Sequence, residues 1–168
     1  MRSMFFVMGA IAVCQVYASI AMGEEVSLRI MYNDANWVSE NIKALHELAN
    51  EVKERGSVSI QENSRIARII DGLVEGKVLG LTAAERQQLV KDTIGQSVYT
   101  DLEQLFRKQL RSPDGAKQRS ALRALGYPLC VTDAVEEIKE FVFHVDRMTQ
   151  YLAVRSLVYL DVAGANHF

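Results

Sequence analysis

Two cysteines, two prolines, one tryptophan and three histidines are scattered through 168 residues. Each scarcity closes off a class of protein. Cys14 falls inside an apolar leader, which leaves Cys130 as the only thiol of the body, so no internal disulfide staples the fold. Cys130 is expected to be a small buried hydrophobe rather than a reactive group. Ten glycines and two prolines are too few for a linker-rich or collagen-like chain. Charge of one sign is also missing: 19 Lys and Arg face 21 Asp and Glu, a formal charge of −2. That balance argues against a strongly basic nucleic-acid binder. What is present, 49% hydrophobic and 24% charged residues, is the composition of a folded globular chain. The length suits one domain with a core, or a short array of stacked helices.

Motifs for chemistry are equally sparse. His46-Glu47 has the form of the first half of a zinc-protease helix, but position 50, where the second imidazole is required, is Asn. His144 and His167 are far from it in sequence, and no cysteine pair supplements them. No Gly-x-Ser-x-Gly elbow is present, and Gly72, Gly76 and Gly80 lack phosphate-loop spacing. Glu136, Glu137 and Glu140 crowd one helix start, where the helix dipole favours acid. The expectation is no catalytic residue, no metal site and no cofactor. An enzyme would need groups that converge only in three dimensions, for example around His144 and Asp146, and those two point in different directions on a helix.

Residues 1–23 read as an address. Arg2 precedes the apolar run Met4–Val13, and small residues follow at Ala18, Ala21 and Gly23, immediately before Glu24 and Glu25. Charge, apolar segment and small-residue site are the order of a secretory signal peptide, with cleavage expected after Ala21 or Gly23. The product would be periplasmic or extracellular and free of the membrane. Retention of residues 4–22 as a membrane anchor is the alternative.

The body, 24–168, reads as a single all-α domain. Val26–Tyr32 partly alternates and suggests a short extended arm. Asn33 or Asp34 is placed to cap a helix with Trp37, Val38, Ile42, Leu45, Leu48, Ala49 and Val52 on one stripe, ending at Gly56. Ile66, Ile69, Ile70, Leu73 and Val74 mark a second. Thr82-Ala83-Ala84-Glu85 has the capping-box form and opens a third through Leu89, Val90 and Ile94. A fourth starts near Asp101 with Leu102, Leu105, Phe106 and Leu110. Ser112-Pro113-Asp114-Gly115 turns the chain, with Pro113 placed to begin a short helix over Lys117–Leu125. Asp133 is expected to cap one long helix from Ala134 to about Leu160, roughly 40 Å if unbroken. Its stripe runs through Val135, Ile138, Phe141, Val142, Val145, Met148 and Leu152, and from Tyr151 it is apolar nearly all round.

The stretch Leu110-Arg111-Ser112-Pro113-Asp114, then Arg119-Ser120-Ala121-Leu122-Arg123-Ala124-Leu125-Gly126, then Asp133-Ala134-Val135-Glu136-Glu137-Ile138 resembles a HEAT-like helical repeat. Asp146 followed by Leu152-Ala153-Val154-Arg155 resembles the start of the next, and Arg119-Ser120 recurs as Arg155-Ser156. The resemblance is clearest over 110–160 and faint back to 61. It implies a short right-handed stack of antiparallel helix pairs over about 61–162, with a compact irregular helical bundle as the alternative. It also implies bridging of neighbouring turns by Asp114 with Arg119, or by Asp146 with Arg155.

On these grounds the expected function is an exported, non-enzymatic module that binds another protein. Arg107, Lys108, Arg111, Lys117, Arg119 and Arg123 form a basic cluster without interleaved aromatics, which fits an acidic protein partner better than a nucleic acid. The candidate interaction surface is Lys117, Arg119 and Arg123, with Tyr151 and Leu157 from the apolar end of the last helix. Whether that end forms core or interface depends on its burial.

Overall fold

The computed structural model describes residues 35–75 and 77–161. Among these, seven α-helices and one 3-10 turn are present and no strand: α1 (Ala35–Arg55), α2 (Ile60–Val74), α3 (Ala83–Ile94), α4 (Gln96–Leu110), α5 (Gly115–Gly126), the 3-10 turn Thr132–Ala134, α6 (Val135–Lys139) and α7 (Arg147–Tyr159). The chain is all-α, as its periodicity requires. The chain divides into two units between Glu40 and Asn41. Only 35–40 of the first are described, so the architecture below is that of the second. The expected signal peptide, the arm at 26–32 and the Asn33 or Asp34 cap lie outside the described residues.

Local chemistry sets the helix limits. Gly56, at φ +69°, ends α1, and its N–H donates to the carbonyl of Val52. Capping boxes open two helices. Thr82 and Glu85 exchange bonds at the start of α3, as the sequence predicts. Ser59 and Glu62 do the same for α2, a signal of identical form. Gly95, at φ +89°, both ends α3 and accepts the first α4 bond from the Tyr99 N–H, so α4 begins at Gln96 rather than near Asp101. Asp114 caps α5 by accepting from the Ala116 N–H at 2.8 Å, which places Pro113 ahead of the cap rather than in the first turn.

The expected single helix over Ala134–Leu160 is interrupted. Asp133 does not cap it; its carboxylate receives the Arg107 guanidinium at 2.7 Å. α6 stops at Lys139, and tight turns carry the chain to Asp146, which caps α7 by accepting from the Thr149 N–H. The break is held by side chains. Gln150 donates to the Val142 carbonyl at 2.7 Å, and His144 Nδ1 accepts from the Asp146 N–H at 3.0 Å. Two residues of the expected apolar stripe leave the core as a result: Val145 is 94% and Met148 54% exposed.

α5 lies at the centre, packed against α2, α4 and α7, while α3 joins α2 to α4. Ala121, Leu122, Ala124 and Leu125 of α5 are all but fully buried. Close approach to α7 rests on Gly126: a Cβ there would lie 2.5 Å from Ser156 Cβ and 2.6 Å from its Cα. Ser156 Oγ donates to the Leu122 carbonyl at 2.7 Å across the same contact. On the other side, the buried Tyr99 hydroxyl receives Gln87 Nε2 at 2.8 Å and donates to the Leu129 carbonyl at 3.1 Å, while Thr132 Oγ1 donates to Gln87 Oε1 at 2.7 Å. This chain of bonds fixes the loop after α5 to α3 and α4. Cys130, in that loop, is buried, and burial pushes its thiol pKa up.

Two outcomes follow for equilibrium unfolding in urea. Gly126→Ala forces backbone apart and is expected to cost about 1–3 kcal/mol; an unchanged midpoint would contradict the close contact. Tyr99→Phe leaves a buried carbonyl and a buried amide without their partner and is expected to cost about 1–3 kcal/mol.

Candidate interaction groove

A groove of about 570 Å³ runs between α2, α5 and α7. Each wall is one helical stripe. Ile60, Asn63, Ser64, Ala67, Arg68 and Asp71 recur at three and four residues along α2, Ala116, Arg119, Ser120 and Arg123 do so along α5, and Met148 and Leu152 come from α7. The concavity follows from side-chain size: Ser64, Ala67, Ala116 and Ser120 are too small to fill the space between their helices. Its floor is closed by Asn63, whose amide donates to the Ser120 carbonyl at 2.8 Å and, more closely, to its hydroxyl.

The ionic groups of the groove are of two kinds. Arg119 is fixed, donating to Asp146 Oδ2 at 3.1 Å and so linking α5 to the cap of α7. Thr149, bonding through hydroxyl and amide, and then Arg119 hold the Asp146 carboxyl down at about 2. Arg68 and Arg123 are exposed and have no carboxylate or carbonyl partner among the described residues. Among the described residues, Asp71 is the one carboxylate in the lining. The Tyr127 hydroxyl donates to it, and the Tyr127 ring stacks on Tyr159 with centroids 5.1 Å apart. Burial first, and the nearby Glu75 carboxylate second, push Asp71 up to about 6. Two apolar side chains of the lining are also exposed, Ile60 of α2 at 58% and Met148 of α7 at 54%.

The structure brings together only part of the surface expected from sequence. Arg119 and Arg123 share the α5 wall. Lys117 is exposed, but helix periodicity turns it away from the groove lining. Tyr151 is exposed on α7 outside the lining. Leu157 is a correction: it is 0% exposed, a core residue that no partner can touch. The basic cluster also divides. Arg107 is bound to Glu103, Asp133 and Glu137, and Arg111 to Glu137. Arg119 pairs with Asp146, so neither expected pairing, Asp114 with Arg119 or Asp146 with Arg155, is formed. Arg68 was absent from the expected surface; its signal is the small-and-cationic stripe Ser64, Ala67, Arg68 on the polar side of an otherwise Ile-rich helix.

The residues considered for chemistry stay apart. His46 Nε2 lies 2.9 Å from the Ile94 carbonyl, where it bonds α1 to α3. His144 and Asp146 meet only through the backbone N–H of Asp146. Among the described residues no group of three or more His, Cys, Asp or Glu could hold a metal ion, and no helix is long and apolar enough to cross a membrane. No protein-family model, no curated protein and no solved structure matches the chain.

Asp71 makes the groove sensitive to pH. Its folded pKa, about 6, lies above the ordinary 3.8, so the folded state binds the proton more tightly. The resulting stability is complete below about pH 4 and is lost as pH rises through about 6. Asp71→Asn keeps an acceptor for Tyr127 and removes this titration. The wild-type protein is expected to lose about 1 kcal/mol relative to the variant between about pH 4 and pH 7, after discounting for solvent screening. Parallel pH–stability curves would contradict the assignment. Leu157→Asp, by contrast, buries a charge and is expected to abolish folding rather than alter assembly, read by circular dichroism.

Proposed function

We propose that this chain is an exported, non-enzymatic helical module that binds another protein. The observation that carries the reading is the α2–α5–α7 groove, which combines exposed apolar side chains at its rim with guanidinium groups that have no partner among the described residues. A pairing of apolar contact area with orienting charge is what protein interfaces use. The catalytic alternative finds less support: the polar groups in the groove floor, Asn63 and Ser120, are bonded to each other.

The stacking we favour is HEAT-like over about 61–162. It is supported by the Asp114-capped helix that ends at Gly126 and by a second Asp-capped helix beginning after Asp146. The interruption between α6 and α7 fits it as well, since consecutive repeats need a turn at that place. Export rests on residues 1–23, whose charge, apolar run and small-residue site have signal-peptide order.

The full-length gene product, expressed in its native host and isolated gently, is expected to lack residues 1–23 by intact mass and to run as a stoichiometric complex with a second protein. A product that retains those residues would overturn cleavage and favour the membrane-anchored form. A lone monomer that holds a small molecule in native mass spectrometry would overturn the protein-binding role.

A further inference from the structure

We propose that the α2–α5–α7 groove takes an acidic segment of its partner, which brings Asp or Glu side chains to Arg68 and Arg123 and an apolar side chain between Ile60 and Met148. This rests on the protein-binding reading and specifies the chemistry of the occupant.

Arg68 and Arg123 matter because they are uncompensated cations that share one concave surface. Several guanidinium groups are neutralised within the fold: Arg86 meets Asp161, Arg107 meets Asp133 and Glu137, and Arg119, in the groove itself, meets Asp146. Outside the groove, Arg65 and Arg147 are exposed without a carboxylate among the described residues. Arg68 and Arg123 stand on two facing walls and meet none among the described residues. Arg119 is neutralised by Asp146, which leaves two guanidinium groups, Arg68 and Arg123, against one lining carboxylate, Asp71, among the described residues. A chain with a formal charge of −2 therefore carries a concave surface of opposite sign, and acidic groups are drawn to it while basic ones are repelled.

Shape narrows the occupant further. Arg68 and Arg123 are exposed at the edges rather than converging on a buried point, and Asn63 and Ser120 are spent on each other. A compact anion would find no closed cradle. A chain segment laid along the groove meets both walls at once and covers Ile60 and Met148, which are more than half exposed in the free protein. A concave wall does not fit a flat lipid surface. No aromatic side chain lines it to stack a nucleobase.

The test is selection of random twelve-residue peptides displayed on phage against the full chain, followed by fluorescence anisotropy of the best synthetic peptide. Selected peptides are expected to carry two or more Asp or Glu around a Leu, Ile, Met or Phe. Affinity is expected to fall at least about tenfold in the Arg68→Glu/Arg123→Glu variant and to weaken as NaCl rises from about 50 to about 500 mM. Both arginines are exposed, so circular dichroism should show the fold intact. Lys117→Glu, outside the groove, should leave affinity within about twofold. Selected peptides without acidic residues, or binding insensitive to the double variant, would overturn this inference while leaving the protein-binding reading in place. Displacement of the peptide by an equal concentration of succinate would reassign the groove to a small dicarboxylate and also overturn it. Failure to select any peptide would count against both.

Discussion

Gly126 of α5 approaches Ser156 of α7 so closely that no side chain fits between them. That contact sets the distance between the two helices, and much of the fold is arranged by it. With the helices this near, Ser156 Oγ reaches the Leu122 carbonyl, Ala153 and Leu157 enter the core, and Arg119 can span to Asp146. α5 is then walled in by α2, α4 and α7. Its buried face is built largely from small residues and leucines, Ser120, Ala121, Leu122, Ala124 and Leu125, which is what a central helix with neighbours on several sides requires.

The same choice of small residues has opposite results on two faces of α5. Towards α7, Gly126 lets the backbone approach Ser156 closely and the contact is tight. Towards α2, Ala116 and Ser120 face Ser64 and Ala67, and the outer part of that space stays open as the groove. Asn63 prevents it from collapsing or spreading, since its amide is bonded to both the carbonyl and the hydroxyl of Ser120. The cations placed along this opening are therefore held by packed helices rather than by loops, which limits the ordering cost of binding.

Much of the helical layout was legible in the sequence because its punctuation is local. Gly56, the Thr82–Glu85 box, Asp114 and Gly126 each mark a boundary by chemistry confined to a few residues. The interruption between α6 and α7 was not legible. The apolar stripe runs through it without a break, no Gly or Pro stands between Leu129 and Val162, and the stop depends on Gln150 and His144 finding backbone groups after the chain has turned. Leu157 was ambiguous for a related reason: a segment apolar all round does not say which of its faces another helix covers. The groove was half legible. Arg119 and Arg123 stood out as cations on one helix, but Arg68 joins them only because Asn63 and Ser120, 57 residues apart, bring α2 against α5. Arg107 and Arg111 look equivalent to Arg123 in sequence, and their ion pairs with Glu103, Asp133 and Glu137 separate them, whereas Lys117 is set apart by its place in the helical period.

Burial on several sides by α2, α4 and α7 makes α5 the part of the described fold expected to open last. Amide hydrogen exchange of the full chain, followed by mass spectrometry, tests it most directly. Peptides covering Ala121–Leu125 and Leu152–Leu157 are expected to exchange last and together, only through global unfolding, while the turns around Phe143, which is 83% exposed, exchange early. Exchange of α5 ahead of the peripheral helices, or of α5 and α7 in separate steps, would contradict it.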